Sequence, residues 1–174
     1  MALEVVDLDA ADAVAARARV RALEVRMVEL TGGEPLLQPA TAALARALLD
    51  AGLEVLIETG GHRDVSVLDP RCRVILDVKA PGSGMAAHND PSNLERLEPG
   101  DEVKYVLADR ADYEWAREHL RQHALAERLP VQLSPVHGVL DPRELADWIL
   151  EDALRVRLNL QLHKYVWGAG ARGV

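Results

Sequence analysis

The sequence holds no phenylalanine and one cysteine, Cys72. A lone cysteine excludes an internal disulfide and suits a reducing cytosol, so a cytoplasmic protein is expected. The missing Phe, beside plentiful Ala, Arg, Leu and Val, reads as the mark of a GC-rich coding sequence rather than of function. Long apolar runs are also lacking. None approaches the roughly 18 residues of a membrane-crossing helix. The start, Met1-Ala2-Leu3-Glu4, has neither the basic n-region nor the apolar stretch of a signal peptide. Positive charge is in short supply: 20 basic against 28 acidic residues, a net charge of −8. That argues against nucleic acid, which needs a concentrated basic face, though a small-molecule site can still be locally basic.

What remains is the composition of a globular protein, 49% hydrophobic and 28% charged over 174 residues, read as a single domain, 1–174. The chain is organised around Val28-Glu29-Leu30-Thr31-Gly32-Gly33-Glu34-Pro35. An apolar run, Val25 to Leu30, stops at Thr-Gly-Gly-Glu-Pro, and a helical pattern follows. Two glycines let the backbone approach a ligand closely. Glu34 adds an acceptor for a cation such as an amine, and Pro35 forbids helix at Glu34. On spacing alone, an ordinary strand-to-helix turn reads the same way.

The remaining elements repeat a strand–helix unit at intervals of roughly 25 to 30 residues, the βα period. Residues 9 to 24 read as a scaffold helix capped by Asp9. Ala40–Ala51 follows the first strand as a helix stopped by Gly52. Leu53–Thr59 is the second strand, expected to be covered on both faces, and it ends in Glu58-Thr59-Gly60-Gly61-His62. Glu58 is either a site carboxylate or a salt-bridged loop residue. Cys72, read as a small buried hydrophobe, precedes the strand Val74–Val78. Asp77 and Lys79 alternate to one face, as a site pair or a surface salt bridge.

Residues 81–100 read as a loop, with a turn at Asn93–Leu97, that covers the site. His88 lacks partners at ligand spacing. Glu102–Leu107 is the fourth strand, and an inward Lys104 needs an anion or carboxylate. Asp112–Ala126 is an amphipathic helix whose His119 and His123 share a face, read as solvated because a third metal ligand is wanting. Val131–Val136 is the fifth strand. Asp141, Pro142 and Glu144 open the next helix, which runs to about Ala153. The last strand, Arg155–Leu162, alternates apolar and polar residues.

Several of these stretches together resemble a known family. They are Thr31-Gly32-Gly33-Glu34-Pro35, Asp77-Val78-Lys79-Ala80-Pro81-Gly82-Ser83-Gly84, Asp101-Glu102-Val103-Lys104-Tyr105-Val106 and Ser134-Pro135-Val136-His137-Gly138. The chain closes on Leu160-Gln161-Leu162-His163-Lys164-Tyr165-Val166-Trp167-Gly168 and Arg172-Gly173-Val174. In this order they resemble 7-carboxy-7-deazaguanine synthase, a radical S-adenosylmethionine (SAM) family of queuosine biosynthesis. The resemblance runs from about Val25 to Val174, and the closing segment is its most specific part.

The resemblance implies an α/β fold: a partial (β/α) barrel of the radical SAM type, a mostly parallel sheet with outer helices. It implies a SAM- and Mg²⁺-dependent carbon–nitrogen lyase. Such an enzyme contracts 6-carboxy-5,6,7,8-tetrahydropterin to 7-carboxy-7-deazaguanine with loss of ammonia. It implies a [4Fe–4S] cluster, a reducing partner such as a flavodoxin or ferredoxin, and a homodimer. Carried over by motif, Gly33, Glu34, Asp77, Val78, Lys79, Ser134, Pro135, Val136 and His137 bind SAM. Thr31 and the terminal carboxylate of Val174 meet the pterin.

The family carries its cluster on an N-terminal C-x-x-x-C-x-x-C loop, with Mg²⁺ beside it, and this sequence contains no such motif. The first strand and cluster loop are expected before Asp9 and are read as missing. Two readings follow: the synthase without that segment, or a non-catalytic SAM- and pterin-binding descendant that cannot assemble a cluster. A generic phosphate-binding barrel enzyme is a third, which the closing motif disfavours.

Overall fold

A computed structural model of the chain describes Val20 and residues 24–170. The expected helix over residues 9 to 24 falls almost wholly outside them. Six strands form one sheet: β1 (Met27–Leu30), β2 (Glu54–Thr59), β3 (Arg73–Lys79), β4 (Glu102–Leu107), β5 (Val131–Pro135) and β6 (Arg157–Leu158). Every neighbouring pair is parallel, and the spatial order is the chain order. Sequential parallel strands joined by crossovers wind in one direction, the topology of a partial (β/α) barrel. The crossovers carry α1 (Thr41–Asp50), α2 (Ser92–Arg96), α3 (Arg110–Gln122), α4 (Leu125–Arg128) and α5 (Pro142–Glu151). A last helical turn, α6 (Leu162–Val166), follows β6.

Alternation along the strands makes two different faces. On the helix side lie Val55, Ile57, Val74, Leu76, Val103, Tyr105, Leu107, Val131 and Leu133, all buried. They meet Leu44, Ala45 and Leu48 of α1, Tyr113, Ala116 and Leu120 of α3, and Leu145 of α5 in one hydrophobic cluster. Each large aliphatic side chain buried there contributes roughly 1.5–3 kcal/mol. The register places the alternate residues on the other face: Glu29, Leu56, Glu58, Ile75, Asp77, Lys79, Lys104, Val106, Gln132 and Ser134. That face is largely polar. β2 is therefore not covered by helices on both faces, because Leu56 and Glu58 line the inner side of the partial barrel.

Two further expectations change. The long helix over Asp112–Ala126 is two helices, with Ala124 in left-handed conformation (φ +48°) between them. Leu120 and Leu125 are both buried, yet five residues apart they stand about 140° apart on an unbroken helix. The kink lets both reach the core. The last strand is two residues, not eight. Its final ladder bond runs from the Asn159 N–H to the Leu133 carbonyl. Beyond that point β5 offers Pro135, which has no N–H to donate.

Candidate functional site

The site is built at the C-terminal ends of the strands, where parallel α/β sheets place their ligands. After β1, Gly32 (φ +87°) and Gly33 (φ +46°) both take left-handed conformations. A Cβ at either would meet nothing within 4 Å, so the backbone requires glycine while the space in front stays open.

Glu34 is extended and caps the 3₁₀ turn Pro35–Leu37. Its Oε1 accepts from the Leu36 N–H at 3.0 Å and the Thr59 hydroxyl at 2.7 Å, and its Oε2 accepts from the Gly60 N–H at 2.8 Å. Only 7% of the side chain is exposed. Glu34 is thus a bracket between the ends of β1 and β2, with three of a carboxylate's roughly four acceptor positions taken. Gly60 lies between this bracket and β3: a Cβ there would stand 3.3 Å from Glu34 Oε2 and 3.5 Å from Lys79 Cε.

The inner face carries the charge. Lys79 Nζ donates to Asp77 Oδ2 at 2.6 Å, so the two share a face as expected. Asp77 is buried, and its Oδ1 has no partner among the described residues. Burial pushes its carboxyl above the usual range, against the pull of Lys79. Lys104 Nζ donates to Glu58 Oε1 at 2.5 Å, the carboxylate that an inward lysine requires. The Thr31 hydroxyl lies 3.5 Å from Glu58 Oε2. The Glu29 residue is exposed on the edge strand, yet its carboxyl is pushed up, by partial loss of hydration first and then by Glu58. Farther along the row, Gln132 and Arg157 turn to Glu102.

On β5, Ser134 is fully buried on the same inner face, with its hydroxyl unpartnered among the described residues. Val78 and Pro135 alternate with these residues, so their side chains face the helices. They can offer a ligand only backbone atoms. Past the strand, the His137 ring packs edge-on against Tyr165 at 5.0 Å, which draws α6 and the closing motif to this end of the sheet. Thr31, Gly33, Glu34, Asp77, Lys79, Ser134, Val136 and His137 therefore share one edge and inner face. Val174 lies outside the described residues.

Three polar residues that sequence reasoning passed over hold this edge together. Asn89 clamps Lys79, accepting from its N–H at 3.0 Å and donating to its carbonyl at 2.9 Å. Asn93, fully buried, accepts from the Val65 N–H and donates to the carbonyls of Gly61 and Arg63. Asp112 accepts from the N–H groups of Gly82 and Ala108. The loop over 81–100 is thus clamped to three strand ends. With Leu76, Val78 and His119 it borders a crevice of about 50 Å³ on the helix side. The one sequence signal was the concentration of turn residues around Asn89-Asp90-Pro91.

His119 is not on a solvated face. Its Nδ1 pairs with the Tyr105 hydroxyl at 2.7 Å, and its ring stacks on Trp115 at 4.9 Å. Burial, then the neighbouring His123, pushes it down to about 4, so it is neutral near pH 7.

Neither implied metal group matches the residues present. Cys72 is buried beside the N-terminal end of β3, opposite the site, and burial pushes its thiol up. One thiol cannot supply the three thiolates that a SAM-binding [4Fe–4S] cluster takes. Among the described residues, no group of three or more His, Cys, Asp or Glu side chains is placed to hold a metal ion such as Mg²⁺. No described helix is long and apolar enough to cross a membrane.

No family model matches the chain. Among solved structures it is similar to QueE from Escherichia coli, with a TM-score of 0.66 and 23% identity over 87% of this chain and 64% of that one. It is also similar to Streptococcus suis SuiB bound to S-adenosylmethionine, with a TM-score of 0.60 and 11% identity over 93% of this chain and 45% of that one. These likenesses establish the fold, the α/β partial barrel that the sequence led us to expect, and the chain spans less than two thirds of either structure. Among curated proteins, the 7-carboxy-7-deazaguanine synthase of Koribacter versatilis is 43% identical, over 85% of this chain and 72% of that one. The synthase of Chlorobaculum tepidum is 48% identical, over 90% of this chain and 72% of that one. With that identity over that coverage, the chain belongs to the 7-carboxy-7-deazaguanine synthase family.

Proposed function

We propose that this chain is the SAM- and pterin-binding body of a 7-carboxy-7-deazaguanine synthase. The reaction is the radical ring contraction of 6-carboxy-5,6,7,8-tetrahydropterin with loss of ammonia. The observation that supports the reading best is a pair of buried polar atoms on the inner face, Asp77 Oδ1 and Ser134 Oγ, that have no partner among the described residues. Buried polar atoms are ordinarily satisfied, so an acceptor and a donor left open at a strand-end site call for a ligand.

In this reading the Thr31–Gly33 backbone receives the methionyl group of SAM, in a loop shaped by Glu34. Asp77 and Ser134 meet its polar atoms. Lys79 keeps Asp77 turned inward. Val78, Pro135 and Val136 contribute backbone atoms, and His137 with Tyr165 closes the adenosyl side. Thr31 faces the pterin. The protein's work is to hold two ligands in register and keep water out. A second reading is a descendant that binds both ligands without turnover.

Titration calorimetry of the 174-residue chain with SAM tests the binding. We expect saturable binding that Ser134→Ala weakens about tenfold, from one lost hydrogen bond to a charged or strongly polar ligand. Absence of SAM binding by a folded chain contradicts both readings. Anaerobic reconstitution with iron and sulfide separates them: a protein that stays colourless favours the second, and stoichiometric iron the first.

A further inference from the structure

Glu58 and Lys104 lie part-buried on the inner face, in a cluster of charge that spans four strands. β1 contributes Glu29, β2 Glu58, β3 Asp77 and Lys79, and β4 Lys104. From β5 the facing residue is the uncharged Gln132, which is turned toward Glu102. Three carboxyl groups therefore face two ammonium groups. Lys79 is engaged by Asp77. Lys104, whose side chain is 15% exposed, is engaged by Glu58. A lysine withdrawn this far from water loses hydration, and a packed aliphatic residue would stabilise the sheet as well. Its placement therefore calls for a reason other than stability.

The aim of the carboxylate gives one. Lys104 takes Glu58 Oε1 at 2.5 Å. Among the described residues, the other oxygen, Oε2, has a long 3.5 Å contact with the Thr31 hydroxyl, beside the open glycine loop, and the Glu29 carboxyl also lies within hydrogen-bond reach of Glu58. A carboxylate oxygen accepts two hydrogen bonds, so Oε2 has room for a donor from a ligand. A pterin presents N–H donors along its amino-pyrimidinone edge.

We propose that Lys104 is a positioning residue for pterin recognition: by holding Glu58 Oε1 it turns Oε2 toward Thr31 and the open side of the site. The inference rests on the ligand assignment under Proposed function. Lys104 also opposes the upward push on Glu29. Its removal leaves Lys79 alone against three carboxyl groups, and the cluster then takes up protons at higher pH.

The test uses the full chain and 6-carboxypterin, the stable oxidised form of the substrate, with binding followed by pterin fluorescence across pH 5–9. Carbon-13 titration of the glutamate carboxyls runs in parallel. We expect Lys104→Met to weaken 6-carboxypterin about tenfold or more, the loss of a charge-assisted hydrogen bond. SAM affinity should stay within about threefold, and a glutamate titration should move up by about one pH unit. Lys104→Arg should restore most of the pterin affinity. Lys104→Gln, which keeps a donor without the charge, carries the same expectations if the Met variant does not fold.

A folded variant that binds 6-carboxypterin as the parent does, or that loses SAM and pterin alike, overturns the proposal and leaves the ligand assignment intact. A parent chain that takes SAM but not 6-carboxypterin overturns both the proposal and the pterin assignment.

Discussion

At the scale of single residues, this site is held by side chains that serve the backbone. Glu34 satisfies three donors from two segments, the turn after β1 and the end of β2. Glu34→Ala strands them, and each buried donor left unsatisfied costs about 1–3 kcal/mol. We expect a thermal melt to show this loss, and SAM affinity to fall with it. Gly82 is fixed by a different demand. A Cβ there would stand 2.5 Å from Asp112 Oδ2, while Asp112 is itself buried and bonded to two backbone N–H groups. Gly82→Ala therefore overpacks the turn and should lower stability by about 1–3 kcal/mol in denaturant unfolding.

His119 supplies a pH dependence whose sign follows from its environment. The folded protein keeps the ring neutral down to about 4. The unfolded chain takes up a proton near the ordinary histidine value of about 6.5. Between those values the unfolded state binds more protons, so this contribution to stability falls as pH drops through that window. His119→Phe should flatten that part of the stability profile, and the imidazole should titrate at about 4 by NMR.

Elements were the most legible scale. A near-continuous apolar run marked β2 and apolar alternation marked β4, because the core covers the helix-facing residues of each. Asp141 was read as the cap of α5, and its Oδ1 does accept from the Arg143 N–H. The same alternation overcalled β6, because a period-two pattern says nothing about whether the neighbouring strand still offers donors. The α3–α4 kink carried no Gly or Pro to announce it. It is imposed by where Leu120 and Leu125 must go.

The asparagine clamps were illegible for another reason. A side-chain amide that bonds backbone in a distant loop leaves no periodic trace. Asn93 is the test at this scale: Asn93→Ala should speed amide exchange across 61–66 and 89–97 while the protection of β4 and β5 stays as it was.

Across the whole molecule, two faces of one sheet divide the labour. The helix side holds the hydrophobic core, and the inner side holds the charges, the open polar atoms and the glycine loop. Thr31, Asp77, Lys79, Ser134 and His137 lie at or just past the C-terminal ends of parallel strands in one sheet. Glu29, Glu58, Asp77, Lys104 and Gln132 sit at alternating positions, so a polar inner face was written in the sequence. Reading it required the strand register, which only the paired sheet supplies.

A crystal structure of the chain with SAM and 6-carboxypterin tests this division most directly. Our account predicts both ligands on the inner face at the C-terminal strand ends, SAM against Gly33, Asp77 and Ser134, and the pterin beside Thr31 and Glu58. Ligands seated on the helix side or at the opposite ends of the strands would contradict it.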